Sequence, residues 1–482
     1  MKLNIIIGIF YAFAAIVGIL IMNKKLDLSF WLMLNMFFDP GGYLSAVSEH
    51  FLDRLDFKDI LIVFILISIY KIKGARKIIY QNTYFVKFLK FFLYFVLFYF
   101  IIYGAIIPYL KEDLNYSVFL LKNRRFVYGI ILLFGVYLFA LRGFKYFYLT
   151  TLFVALPTMI LFWLTLITQI PLMEYALFER YRGSGIMRIG ISSYGLFQIL
   201  FPVSAIIYFI NQSYNIRIKH KNLLYFVAFL ILVTLLISLT RRTILDVIGS
   251  IFIIGFLVSK IIKTNIISIP FKIIVPTLIL FLIILLLTPK YVNYLATVTA
   301  DTFLLLTTGK NMRGESDNRV SGGGIYPEVY EKIEQNILFG TGYSYFTWEI
   351  VREMGEHKTA VSTRGYEFGQ LADAASEIGF LNMFFSFGII GFLFLLPLYI
   401  SIYKLARKLY KIIRFNFNKL ISDDPLSVVF SVLFILMVVQ MFTYKIWSTG
   451  DEFIGSRIQI IAVWIGLGFA LLHTNIKKAI NK

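Results

Sequence analysis

Apolar runs long enough to cross a lipid bilayer recur along nearly the whole chain, and they constrain the fold more than any motif does. A helix needs about 20 consecutive apolar residues to span the hydrocarbon core. Candidate spans are Leu3–Met22, Asp59–Tyr70, Phe91–Leu110, Phe126–Leu141, Leu149–Leu172 and Tyr194–Ile210. They continue with Leu223–Leu239, Ile244–Val258, Ile273–Leu287, Ile378–Tyr403, Val428–Trp447 and Ile458–Leu472. Leu28–Phe38 is too short to span before Asp39-Pro40-Gly41-Gly42 interrupts it, so it reads as interfacial or re-entrant. Lipid offers backbone N–H and C=O groups no partner, so a spanning segment must be a helix or part of a closed barrel. The short alternating segments of a barrel are absent. The expected fold is an all-α polytopic membrane protein with about 12–13 transmembrane helices.

Charge sorts these spans by side. The chain carries a net charge of +20, yet only 15% of its residues are charged, where a soluble domain has roughly 25%. The basic residues gather in short loops at helix ends, as positive-inside bias requires, which argues against a nucleic-acid partner and for membrane lipids. Lys404, Arg407, Lys408, Lys411, Arg414 and Lys419 mark one cytoplasmic cluster, and Lys477, Lys478 and Lys482 another. Counting back puts Lys260/Lys263/Lys272, Arg217/Lys219/Lys221, Arg142/Lys145 and Lys71/Lys73/Arg76/Lys77/Lys87/Lys90 on the same side. Lys24 and Lys25 disagree if the N-terminus is cytoplasmic. If Leu28–Ser45 also spans, the N-terminus is outside and they agree. The C-terminus is cytoplasmic either way. No small-residue cleavage site precedes Lys24, so Leu3–Met22 reads as a retained anchor. Cysteine is absent, which removes disulfides and thiolate metal sites.

The chain thus divides into an N-terminal transmembrane bundle (1–287), a large external loop (288–377) and C-terminal transmembrane helices (378–482). Three groups of external arginines break the charge rule. Arg180, Arg182 and Arg188 lie in one loop; Arg241 and Arg242 lie in the tight turn Ser238–Thr243; Arg313 and Arg319 lie in the large loop. A cation drawn into a helix end there needs a partner against desolvation. Arginine suits phosphate because its planar fork donates two parallel hydrogen bonds. The competing account is that these arginines reach lipid headgroups, or pair with Glu315, Asp317 or Glu328. Lys122, Arg124 and Arg125 are also external and read as headgroup contacts.

Gly322-Gly323-Gly324 and Gly340-Thr341-Gly342 fit no Walker or dinucleotide pattern and read as turns. His50, His220, His357 and His473 are scattered, without metal-ligand spacing. No metal or other cofactor is expected. Tyr326, Tyr343 and Trp348 are candidate sugar-stacking residues, with packing inside the loop as the alternative.

Five elements in order carry a resemblance to a known family. They are Arg188-Ile189-Gly190, Arg241-Arg242-Thr243, Arg319, Asn336-Ile337-Leu338-Phe339-Gly340-Thr341-Gly342-Tyr343, and Gly388-Ile389-Ile390-Gly391. Together they resemble the bacterial O-antigen polymerase and O-antigen ligase superfamily, most closely the oligosaccharide repeat-unit polymerases. One departure stands out. Where the ligases carry a His-Asn pair before the final Gly-x-x-Gly, this chain has Glu377 and Ile378.

The resemblance implies a GT-C-like fold and metal-independent glycosyl transfer at the outer face of the cytoplasmic membrane. It implies a donor glycan on undecaprenyl pyrophosphate and a lipid-linked repeat as acceptor. The product would be an O-antigen, capsule or exopolysaccharide, and a flippase and a chain-length regulator would be partners. Arg188, Arg241, Arg242, Arg313 and Arg319 are the candidates for pyrophosphate. Arg242 and Arg319 are also catalytic candidates, with Glu377 as base and Asp373 one helical turn earlier. The alternatives are a ligase that moves the glycan to a lipid or protein acceptor, and a flippase for the same lipid. Inverted repeats and interrupted mid-membrane helices, which many transporters show, are not evident.

Overall fold

The computed structural model describes residues 3–38, 43–44, 47–48, 56–106, 116–168, 172, 176–180, 187–191, 195–237, 241–262, 300, 304, 330–331, 333–340, 380–443 and 457–480. Helices dominate. They are α1 (Leu3–Leu20), α2 (Leu26–Phe37), α3 (Phe57–Tyr70), α4 (Ala75–Gln81), α5 (Thr83–Ile101), α6 (Tyr116–Ala140) and α7 (Lys145–Thr168). After a hairpin come α8 (Leu200–Asn211), α9 (Lys221–Ile237) and α10 (Arg241–Ile262). The C-terminal part holds α11 (Phe380–Asp423), α12 (Pro425–Phe442) and α13 (Arg457–Ile480). Six of the described helices have the length and hydropathy to cross a bilayer, namely α1, α5, α7, α11, α12 and α13. The expected span Ile273–Leu287 lies outside the described residues.

One short hairpin is set into this otherwise helical fold. Strands β1 (Ala176–Arg180) and β2 (Met187–Ile191) pair antiparallel, in a register that joins Ala176 to Ile191 and Arg180 to Met187. Gly183-Ser184-Gly185 lies between them, the kind of sequence that favours a turn.

Helix boundaries shift where polar caps or amphipathic faces extend an apolar run. The Asn82 side chain accepts the Phe85 N–H at 3.1 Å and starts α5 well ahead of Phe91. Asp56 and Asp59 form a capping box at the start of α3. Helix α11 continues past Tyr403 because Leu405, Leu409, Ile413, Phe417 and Leu420 stay buried on one face while Lys404, Arg407 and Lys411 are exposed. That stripe is helical in period even though its charge ends the apolar run.

The segment from Leu26 belongs inside the bundle, not at an interface. Phe30, Trp31, Met33 and Leu34 are fully buried. Phe30 stacks on Phe139 at 3.9 Å, and Trp31 meets Phe147 at 4.7 Å. The chain here runs back along α1. The Ser29 hydroxyl donates to the Gly18 carbonyl at 2.5 Å, Gly18 lies against Leu32 and Met33, and Gly8 lies against Tyr43 and Val47. The backbone N–H of Phe57 donates to Ser48 Oγ at 2.8 Å, and α3 then returns until Lys71 bonds Asn23. The chain therefore crosses the bundle three times before Lys71.

These contacts define two ends. At the basic end, Asn23 meets Lys71 and Asp27 pairs with Arg142 at 2.5 Å. Tyr148 donates to the Lys219 carbonyl at 3.1 Å, and Tyr214 bonds Asn418 at 2.8 Å. At the far end, Arg124 pairs with Asp59 at 2.6 Å and Asp56 at 3.8 Å. Arg124 is thus tied to the α3 cap, which corrects the headgroup contact expected for it. Its neighbours in sequence could not reveal partners more than 60 positions away.

Close approach and buried polar links hold the helices together. A Cβ added at Gly466 on α13 would lie 2.9 Å from the Leu133 carbonyl oxygen on α6. Such small residues let helix backbones meet in a membrane, where apolar burial gives no drive to associate. Asn475 on α13 bonds Ser427 at 3.0 Å and Ser431 at 2.9 Å on α12. Gln440 reaches Ser250 on α10 at 2.6 Å, and Tyr11 bonds Thr158 at 2.8 Å.

Candidate functional site

The candidate site is at the far end of the bundle, and its centre is a break in α11. Gly388 has φ 63° and ψ −170° inside the span Phe380–Asp423, so a short helical piece precedes it and a long one follows. A break leaves the first N–H groups of the following helix without partners. Here they are met by another part of the chain. Ile389 N–H donates to the Ile337 carbonyl at 2.9 Å, and Ile390 N–H to the Leu338 carbonyl at 3.0 Å. A Cβ at position 388 would lie 2.4 Å from the Leu338 carbonyl carbon and oxygen and 2.5 Å from the Gly340 nitrogen. Only glycine fits both the conformation and the space.

The segment docked there is itself a tight turn. Gly340 N–H bonds the Asn336 carbonyl at 2.6 Å, and Gly340 has a positive φ of 69°. Gly340 is buried, whereas Ile337, Leu338 and Phe339 remain exposed. Two elements that the sequence keeps about 50 residues apart, Asn336–Gly340 and Gly388–Gly391, therefore share a backbone interface.

An aromatic seat supports the break. Phe387 meets Phe95 at 5.4 Å and Tyr99 at 5.7 Å, both on α5. Tyr99 in turn meets Phe126 on α6 at 4.7 Å, and Phe98 stacks on Phe394 at 4.4 Å. Edge and offset ring contacts of this kind add to apolar packing. The seat fixes α5, α6 and α11 at the end where the loop docks. The reading from sequence missed it, because aromatic residues are common throughout this chain and no spacing marks these six.

Of the arginine candidates, Arg188, Arg241 and Arg242 lie among the described residues. Helix α7 leaves the basic end near Tyr148 and leads to the hairpin, where Arg188 is in register with Glu179. Helix α9 leaves Lys221 and reaches Ile237, and Arg241 and Arg242 are then the first residues of α10. Two cations in a first helical turn oppose the helix dipole, whose positive end already lies there. The first turn of a helix is in general a position that favours an anion. Arg313, Arg319, Tyr326, Tyr343, Asp373 and Glu377 lie outside the described residues, as does most of 288–377.

Fold and site together define a multi-pass helical membrane protein with a loop turn docked on a broken helix at the end opposite its basic cluster. Compared with known protein families, curated proteins and solved structures, the chain matches none.

Proposed function

We propose that the protein is a polysaccharide polymerase that joins undecaprenyl-pyrophosphate-linked oligosaccharide repeats. Positive-inside bias assigns the basic end to the cytoplasm and the docked loop to the outer face. The observation that carries the reading is the backbone contact of Ile337 and Leu338 with Ile389 and Ile390. It joins the two longest elements of the family resemblance.

In this reading an acceptor sugar hydroxyl attacks the anomeric carbon of the donor glycan, and the bond from that carbon to pyrophosphate breaks. The hydroxyl proton passes to Glu377, with Asp373 as the second carboxylate candidate, and the pyrophosphate leaves with the bonding electrons. Its growing charge needs preorganised donors, usually the largest contribution in such catalysis. Arg188, Arg242 and Arg319 supply them, with Arg241 and Arg313 in support. Tyr326 and Tyr343 stack on sugar faces.

The test is replacement of Arg242 or Arg319 by Ala at normal membrane expression, followed by sizing of the glycan. The expected outcome is loss of long chains, with single-repeat glycans still attached; removing one preorganised donor typically costs about 10²–10³ in rate. Long chains that persist remove these residues from the mechanism. A carrier left loaded with finished glycan points to a ligase. Reconstitution with a defined lipid-linked repeat, with and without chelator, tests the chemistry directly.

A further inference from the structure

At the basic end, α5, α11 and α13 enclose a groove of about 390 Å³. Phe91, Phe469 and Leu472 form part of its apolar floor, and Lys87, Lys404 and Lys408 line it from two helices. Lys408 sits over the Tyr84 ring, 4.0 Å from its centroid. Among the described residues, none of the three lysines takes part in an ion pair.

Lys404 and Lys408 are one turn apart on α11, a spacing at which like charges repel. A third ammonium from α5 adds to that repulsion. Lysines at helix ends commonly reach into the headgroup layer without any specific site. A concave, apolar floor beneath three lysines, two of them with ring neighbours and none, among the described residues, with a carboxylate partner, is a different arrangement. It offers an acyl chain a surface and a phosphate several donors at once.

We propose that this groove binds one anionic phospholipid of the adjoining leaflet, with its phosphate among Lys87, Lys404 and Lys408 and an acyl chain along Phe91 and Phe469. The proposal is independent of glycosyl transfer, which belongs to the other end of the bundle.

The test is native mass spectrometry of the full chain in detergent, titrated with phosphatidylglycerol or phosphatidylcholine. The wild-type chain is expected to keep one phosphatidylglycerol under conditions that strip phosphatidylcholine. Lys404→Gln should weaken that binding about fivefold, in line with the usual contribution of one basic residue near an anionic membrane. The triple variant Lys87→Gln, Lys404→Gln, Lys408→Gln should abolish it while melting at the wild-type temperature. If the triple variant fails to fold, the single variant decides. Lys73→Gln with Lys77→Gln, at the same end but outside the groove, should change nothing. Millimolar inorganic phosphate should not displace the lipid. Equal retention in the groove variants, equal loss in the Lys73/Lys77 pair, or displacement by free phosphate would each overturn the proposal.

Discussion

Gly388 is the residue on which the far end depends. Its φ of 63° with ψ of −170° lies in a region that residues with a Cβ essentially never enter. Gly388→Ala should destabilise the protein by about 1–3 kcal/mol through the backbone alone. The clash with Leu338 adds to that. Thermal unfolding in detergent checks this, and a variant that melts like wild type would show that the break is dispensable. The sequence alone places Gly388 within a helix entrance, inside the continuous span Ile378–Tyr403. It could not show the break, because the hydropathy of Phe384, Phe385, Phe387, Ile389 and Ile390 stays high across Ser386 and Gly388. Arg124 teaches the same lesson from the opposite direction. Its charge and loop position suggested headgroups, but two carboxylates at the α3 cap claim it.

At the scale of elements, the pairing of α6 with α13 rests on backbone proximity. Gly466 lies against Leu133, Val136 and Tyr137, and a Cβ there would come within 2.9 Å of a carbonyl oxygen. A carbonyl inside a helix cannot rotate away as a side chain can. Gly466→Leu should therefore cost about 1–3 kcal/mol, the usual penalty of overpacking. The readout is a lower melting temperature in detergent; an unchanged one would mean that the two helices separate freely. Element existence was legible from hydropathy, and element ends were not. The expected spans correspond to described helices everywhere except Ile273–Leu287, which lies outside them. The ends moved at Asn82, where a side chain caps α5, and beyond Tyr403, where an amphipathic stripe prolongs α11. The hairpin Ala176–Ile191 was not anticipated, since its strands are too short for a period to stand out.

For the whole molecule, the question is which way the bundle faces. The chain crosses the bundle three times before Lys71, so Lys24 and Lys25 share an end with Lys71 and Arg142. That removes the conflict over Lys24 and Lys25 and favours an external N-terminus. Because the chain has no cysteine, single introduced cysteines report on sidedness cleanly. Lys24→Cys and Lys73→Cys should resist a membrane-impermeant maleimide added to intact cells and react once the cells are opened. Ile337→Cys should react in intact cells. Labelling of Lys24→Cys from outside would restore the cytoplasmic N-terminus, and protection of Ile337→Cys would move the docked loop to the wrong face.

By itself, the sequence determined that this chain is a helical membrane protein, roughly where its spans run, and which ends carry excess positive charge. Hydropathy and charge belong to each residue and accumulate along the chain, so no partner need be known. The seating of Ile337 and Leu338 on Ile389 and Ile390, the return of Tyr43 and Val47 alongside Gly8, and the aromatic support beneath Phe387 were decided only by the tertiary structure. Each of these is a match between surfaces far apart in the chain. Backbone hydrogen bonds and ring contacts of that kind leave no pattern in composition or spacing, because any carbonyl or any phenyl ring could have filled the place until the packing chose one.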